Sequence, residues 1–151
     1  MSVGEAIVKY FNERNDFAAL AVDKIGQYEL IQVFLIKGIS ILNVKCRYTE
    51  SHLVINSLVP EFVVYESGTF RSDFFNYINS TLNNGMFTIG EQDSYEYNQI
   101  YSYAELYEIH GLLDVAIKNA WDLYEECAEV VALNMVSQFM LEANMRVFFT
   151  R

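Results

Sequence analysis

Between residues 17 and 65 the chain is a succession of short β-branched and aromatic runs: AALAV, YELIQVFLI, ISILNVKCRY, HLVINSLV and FVVY. The breaks between them are brief, namely IGQ, KG and TES, too short to hold the helical crossover that parallel strands need. Antiparallel hairpins with short turns are the economical reading of neighbouring runs. Gly38, between LIK and ISI, is suited to a positive φ in a tight turn.

Helical spacing brackets this block. Residues 3–14 place Ala6, Ile7, Tyr10 and Phe11 on one stripe, with Glu5, Lys9, Asn12 and Glu13 between them. Residues 71–84 place Phe74, Phe75, Ile78 and Leu82 together and end in Asn83, Asn84 and Gly85, residues that tolerate the left-handed conformation of a helix C-terminus. MFTI and YEYNQIYSY follow as a second hairpin across the polar turn GEQDS. Beyond Gly111 there is neither Gly nor Pro, and Leu113, Ala116, Ile117, Ala120, Tyr124, Cys127, Val131 and Met135 recur at steps of three and four. Asp114, Lys118, Asp122, Glu125, Glu126 and Glu129 form the opposite stripe, with Asp114 four residues before Lys118 in the favourable order. The order is α, three or more β, α, β, β, α (at minimum α-β-β-β-α-β-β-α), an α+β fold with an antiparallel sheet flanked by helices and a long C-terminal helix. With a single proline, Pro60, and no low-complexity linker, residues 1–151 read as one domain, its core about 3–133 and its C-terminal helical extension 134–151.

The mid-chain helix carries Ile78 and Asn79, Gly85 and Phe87 enter the hairpin, and Leu112, Leu113, Ala116, Ile117 and Ala120 recur in the last helix. Over roughly residues 3–133 this profile resembles the YbjN-like and type III secretion chaperone-like domains. The resemblance implies a small acidic protein, commonly dimeric, that binds extended or amphipathic segments of another protein and needs neither metal nor nucleotide. Two departures are visible: EFVVYESGTF before the second helix is longer than that family's pattern, and the chain runs about eighteen residues beyond the expected helix end. No functional residue is carried over, because the family supplies no chemical motif to match.

Charge and motifs narrow the function classes. A formal net charge of −10, with the ten Lys and Arg dispersed and never adjacent, opposes binding to phosphate backbones, so no nucleic-acid partner is expected. There is no signal-peptide pattern at the N-terminus and no uncharged apolar run long enough for a bilayer, so the expected setting is cytoplasmic, without a membrane partner. Cys46 and Cys127 belong to no CxxC pair and read as buried, reduced thiols. GxxxxGK[ST], GxGxxG, GxSxG and HExxH are all absent, and His52 and His110 are isolated. The expectation is a non-enzymatic domain with no catalytic residues, no cofactor and no metal; a pair of carboxylates facing each other across a cleft has no sequence support.

Two features suggest binding. Tyr95, Tyr97, Tyr101, Tyr103 and Tyr107 concentrate in and after the second hairpin, as a tyrosine-rich interaction surface or as cross-strand aromatic packing. Trp121 sits at the border of the helical stripe, as core or as an interface anchor. Tyr95, Tyr97, Tyr101, Tyr103 and Trp121 are thus the candidate protein-binding surface. The acidic stripe around Asp122, Glu125 and Glu129 reads as a solvated face or a surface for a basic partner. Val136, Phe139, Met140, Ala143 and Val147 read as an extension of the helical stripe, and Phe148 and Phe149 follow. Apolar residues this far beyond the core require cover, from the chain bending back or from a second subunit, and the candidate homodimer interface is Val136, Phe139, Met140, Phe148 and Phe149. The leading expectation is a chaperone-like or adaptor domain for another protein; the alternative is a regulatory or sensory domain holding a small apolar ligand in a Phe- and Met-lined pocket between sheet and helices.

Overall fold

The computed structural model describes residues 1–25, 28–59, 68–82, 84–89 and 95–149; at 24, 25, 28, 59, 68–72, 74, 75, 89 and 130–149 it describes the backbone alone. The elements are α1 (Val3–Asn12), β1 (Phe17–Ile25), β2 (Tyr28–Lys37), β3 (Ser40–Tyr48), β4 (His52–Val59), α2 (Gly68–Thr81), β5 (Met86–Ile89), β6 (Tyr95–Ser102) and α3 (Glu108–Phe149). The fold is α+β, and the first run of strands holds four. The runs FVVY and GEQDS and the IGQ turn from Gly26 fall outside the described residues.

All six strands join one antiparallel sheet in the order β1-β2-β3-β4-β6-β5. β2 and β3 meet at Lys37 and Ser40 across a two-residue turn in which Gly38 takes φ 64°, the positive value that such hairpins demand. α2 ends at Thr81, before the Asn-Gly cluster. Its last carbonyls are met by hydroxyls, Ser80 Oγ donating to Tyr77 O at 2.6 Å and Thr81 Oγ1 to Ile78 O at 2.8 Å. Gly85 instead uses its φ of 88° on the way into β5, where a Cβ would stand 2.3 Å from the Asn98 carbonyl oxygen.

The period of two along each strand sends Ile31, Val33, Leu35, Leu42, Val44, Cys46, Leu53 and Ile55 to one face, where all are buried. The helices lie on that face, α1 over β1 and β2, α2 beside β5, and α3 across β4 and β6 against both other helices. Ile7, Tyr10 and Phe11 from α1 and Ile109, Leu113, Ala116, Ile117, Ala120, Leu123 and Cys127 from α3 complete the core. On the opposite face Ile36, Ile41 and Ile100 are largely exposed, and amide side chains bond across strands, Gln32 to Asn43 at 3.0 Å and Asn56 to Asn98 at 2.7 Å. At 1.5 Å per residue α3 is about 63 Å long, and its backbone is helical without a break to Phe149.

Candidate functional site

The side chains singled out in the second hairpin are core. Tyr95, Tyr97 and Tyr103 are buried, Tyr101 is half-buried against the core, and Trp121 is buried beside Tyr124 with Lys37 Nζ 5.7 Å above its ring. All five positions in the strand and just beyond it that share the odd register face the helices, so alternation directs the tyrosines inward as a block. Their hydroxyls find partners there: Tyr97 donates to Asn84 O, Tyr101 to Gln99 Oε1, and Tyr103 to Thr49 O. Burial pushes the Tyr97 hydroxyl up to about 12. Gln99, itself fully buried, donates to Ala116 O at 3.1 Å and ties β6 to α3. The expected tyrosine and tryptophan binding surface is therefore corrected to core packing. Tyr107, by contrast, is exposed.

The acidic stripe of α3 is solvated, with Glu125 2.9 Å from Lys37 and Asp122 3.8 Å from Lys118. The anticipated Asp114–Lys118 pair is replaced, because Asp114 accepts from the Tyr10 hydroxyl at 2.5 Å and lies 3.5 Å from His110. Cys46 and Cys127 are free and buried, and loss of solvation pushes the Cys46 thiol up to about 12. His52 is exposed beside Ser51, and His110 stacks edge-on to Tyr10. Val136, Phe139, Met140, Phe148 and Phe149 lie on the backbone of α3, and their side chains fall outside the described residues.

What the structure brings together is the α1 side of the sheet. β1 is an end strand nine residues long, and among the described residues no strand pairs with its outer edge. Its middle, Ala19 to Val22, has no charge, no proline and no bulge; the one irregularity lies at Ala18, between Phe17 and Ala19, and the charged Asp23 and Lys24 follow. Protein sheets usually guard such an edge with one of those devices. Ala18, Ala19, Ala21 and Val22 are exposed, and Val22, 46% exposed, lies on the helix-covered side.

Beside that edge α1 leaves an open cleft of about 540 Å³. Val8, Val22 and Ile31 form its apolar floor, and Glu5, Glu13 and Glu29 set three carboxylates around it against the one Lys9. The cleft is held open by how α1 is anchored. Ser2 Oγ caps the helix by accepting from Glu5 N–H at 3.2 Å, and the helix start lies close on the Tyr48–Glu29 pair, where a Cβ on Gly4 would stand 2.7 Å from the Tyr48 hydroxyl. Tyr48 donates to Glu29 Oε2; burial, and then that bond, push its hydroxyl up to about 12. At the other end of α1, Arg14 donates twice to Asp16, at 2.7 Å each, and once to the Tyr10 hydroxyl at 2.7 Å. Asp16 O accepts from Ile36 N–H at 2.7 Å, so this cluster sets where β1 begins.

A smaller cleft of about 270 Å³ lies between α2, β6 and α3, with Asn119, Asp122 and Glu126 among its lining residues. Among the described residues neither cleft is lined by Phe or Met. Sequence reading missed the β1 edge. AALAV is visible as an uncharged strand, but its place at the end of the sheet is not written in its own residues.

No family model matches the chain, and no curated protein matches it. Among solved structures, a crystal structure of an uncharacterized protein from Methanothermobacter thermautotrophicus superposes with a TM-score of 0.61 at 11% identity, covering 88% of this chain and 99% of that one. At that identity the likeness is one of fold, and the chain shares its α+β architecture with that archaeal protein.

Proposed function

We propose that the protein is a non-enzymatic, chaperone-like or adaptor domain that acts as a homodimer and binds an extended segment of another protein as a seventh strand on β1. The observation that carries this reading is the bare edge of β1 beside the α1 cleft. An added strand would satisfy the outward backbone groups of β1, and alternate side chains would drop towards Val8, Val22 and Ile31. The net charge of −10 favours a segment whose other side chains, which alternation turns to the far face of the sheet, are basic. The two buried free thiols suit a reducing, cytoplasmic setting.

Hydrogen exchange on the full chain tests the reading with two decapeptides, one alternating valine with lysine and one alternating valine with glutamate. The lysine peptide should slow exchange at the amides of residues 18–22, and the glutamate peptide should leave them unchanged. Equal protection by both, or protection confined to α3, would refute strand addition at this edge.

A further inference from the structure

Partway along α3 a second apolar row begins on the face opposite the first. In the first half Ile109, Leu113, Ala116, Ala120, Leu123 and Cys127 follow one another at steps of three and four, all buried against the sheet and helices. Continued at the same steps along the unbroken helix, that row runs through Val131, Asn134, Gln138, Leu141 and Met145, so two amides interrupt it before it is apolar again. The opposite row changes from charged to apolar. Asp114, Lys118, Asp122, Glu125 and Glu129 lead at steps of three and four into Ala132, Val136, Phe139, Ala143 and Val147, with Met140 alongside. The distal apolar row is thus not an extension of the core stripe, as the spacing alone suggested; it lies on the helix face that is solvated in the first half. Phe148 and Phe149 fall off this row.

A straight helix with apolar rows on opposite sides cannot have both covered by the same layer. Helices in proteins owe most of their stability to packing such a row, so the second half needs another surface. We propose that residues 132–147 of α3 pair antiparallel with the same segment of a second copy, about a twofold axis between Phe139 and Met140. This builds on the dimeric reading above and gives it residues and an orientation.

The sequence of the segment is self-complementary about that axis. Positions equally far from it meet across the twofold, which sets Ala132 against Val147, Val136 against Ala143, and Phe139 against Met140. Each contact places a smaller or more adaptable side chain against a larger one, the condition for a seam without voids. A parallel pair would instead set Phe139 on Phe139 and Ala143 on Ala143, crowded at one level and empty at the next. Charge points to a second copy as well. Residues 130–149 contain one acidic and one basic residue, Glu142 and Arg146, in a chain of net charge −10, so two copies can meet there without the repulsion they would suffer elsewhere.

Light scattering after size exclusion, on the full chain, gives the first result. Wild type should be a dimer, and Phe139→Glu a folded monomer by circular dichroism; Phe139→Ala, which introduces no charge, should raise the dimer dissociation constant at least about tenfold. Oxidative cross-linking gives the orientation, with wild type as the control for the buried Cys46 and Cys127. The double variant Val136→Cys with Ala143→Cys should form a covalent dimer, and Val136→Cys alone should not. Within one helix those two positions are about 10.5 Å apart, beyond disulfide reach, so the bridge has to join two chains. Cross-linking by Val136→Cys alone would mean a parallel pair and overturn the antiparallel arrangement while leaving the dimer intact. A dimer untouched by Phe139→Glu would overturn this interface. A wild-type monomer would overturn the interface and the dimeric reading together.

Discussion

The two ends of the sheet are finished in opposite ways. At one end β5 is four residues long, and the Asn79 side chain from α2 stands where another strand would be: its Nδ2 donates to Phe87 O at 3.1 Å and its Oδ1 accepts from Phe87 N–H at 2.9 Å. A single amide has the donor and acceptor of one peptide unit, so it can plug one residue of an edge. At the other end β1 offers nine residues with no such plug among the described residues, and its charges, Asp23 and Lys24, come only after the uncharged stretch Ala19 to Val22. Exposed backbone is thus closed where α2 is at hand and left open beside α1. This contrast is the physical basis for assigning binding to β1.

The closed end should break most readily. Gly85 brings the chain into β5 at φ 88°, and a Cβ there would be 2.3 Å from Asn98 O and 2.6 Å from the Tyr97 ring. Gly85→Ala combines a left-handed backbone with a clash against a neighbouring strand, and should cost about 3 kcal/mol in urea unfolding. Asn79→Ala removes both bonds to Phe87 and should cost about 2 kcal/mol, with faster amide exchange at Phe87 than at β3 residues. Unchanged exchange at Phe87 would mean that the amide plug is not what closes this edge.

These two residues show how far sequence carried. Gly85 and its neighbouring asparagines announce a break, yet a helix cap and a strand approach ask for the same left-handed backbone, and only the position of Asn98 tells them apart. Alternation correctly grouped Tyr95 with Tyr97 and Tyr101 with Tyr103, because a period of two is local. Which group faces the helices depends on what covers the sheet, and that is set by residues far along the chain. The same holds for β1: periodicity identifies a strand, whereas its place at the end follows from the order in which β4, β6 and β5 assemble. Helical phase is also local, which is why the second apolar row of α3 can be read once the backbone is known to continue unbroken to Phe149.

The start of the open edge should respond to pH. The Arg14 guanidinium beside Asp16, through its hydrogen bonds, holds the Asp16 carboxyl below its ordinary value near 3.8. A carboxyl whose folded value is depressed contributes stability above its unfolded value, and that contribution fades as pH falls through the folded one. Asp16→Asn should therefore cost about 1 kcal/mol at neutral pH, and the gap to wild type should close below pH 3.8, measured as paired urea midpoints. A constant gap across that range would place the effect in the backbone turn rather than in the ion pair.

The smallest change in stability should be the most decisive for function. Ala21 is exposed on β1 and pairs with Gln32 of β2, with no strand on its other side among the described residues. Ala21→Lys adds the residue that guards edges elsewhere, and because the side chain can extend into solvent, unfolding should shift by no more than about 0.5 kcal/mol. A strand added on β1 would have to set one of its own side chains opposite that lysine, and for the valine–lysine decapeptide like charges would come together. Binding of that peptide, followed by exchange at residues 18–22, should weaken about three- to fivefold while the urea midpoint stays put. Loss of binding without loss of stability would separate an edge kept open for a partner from one that is merely unguarded, since an unguarded edge has no affinity to lose.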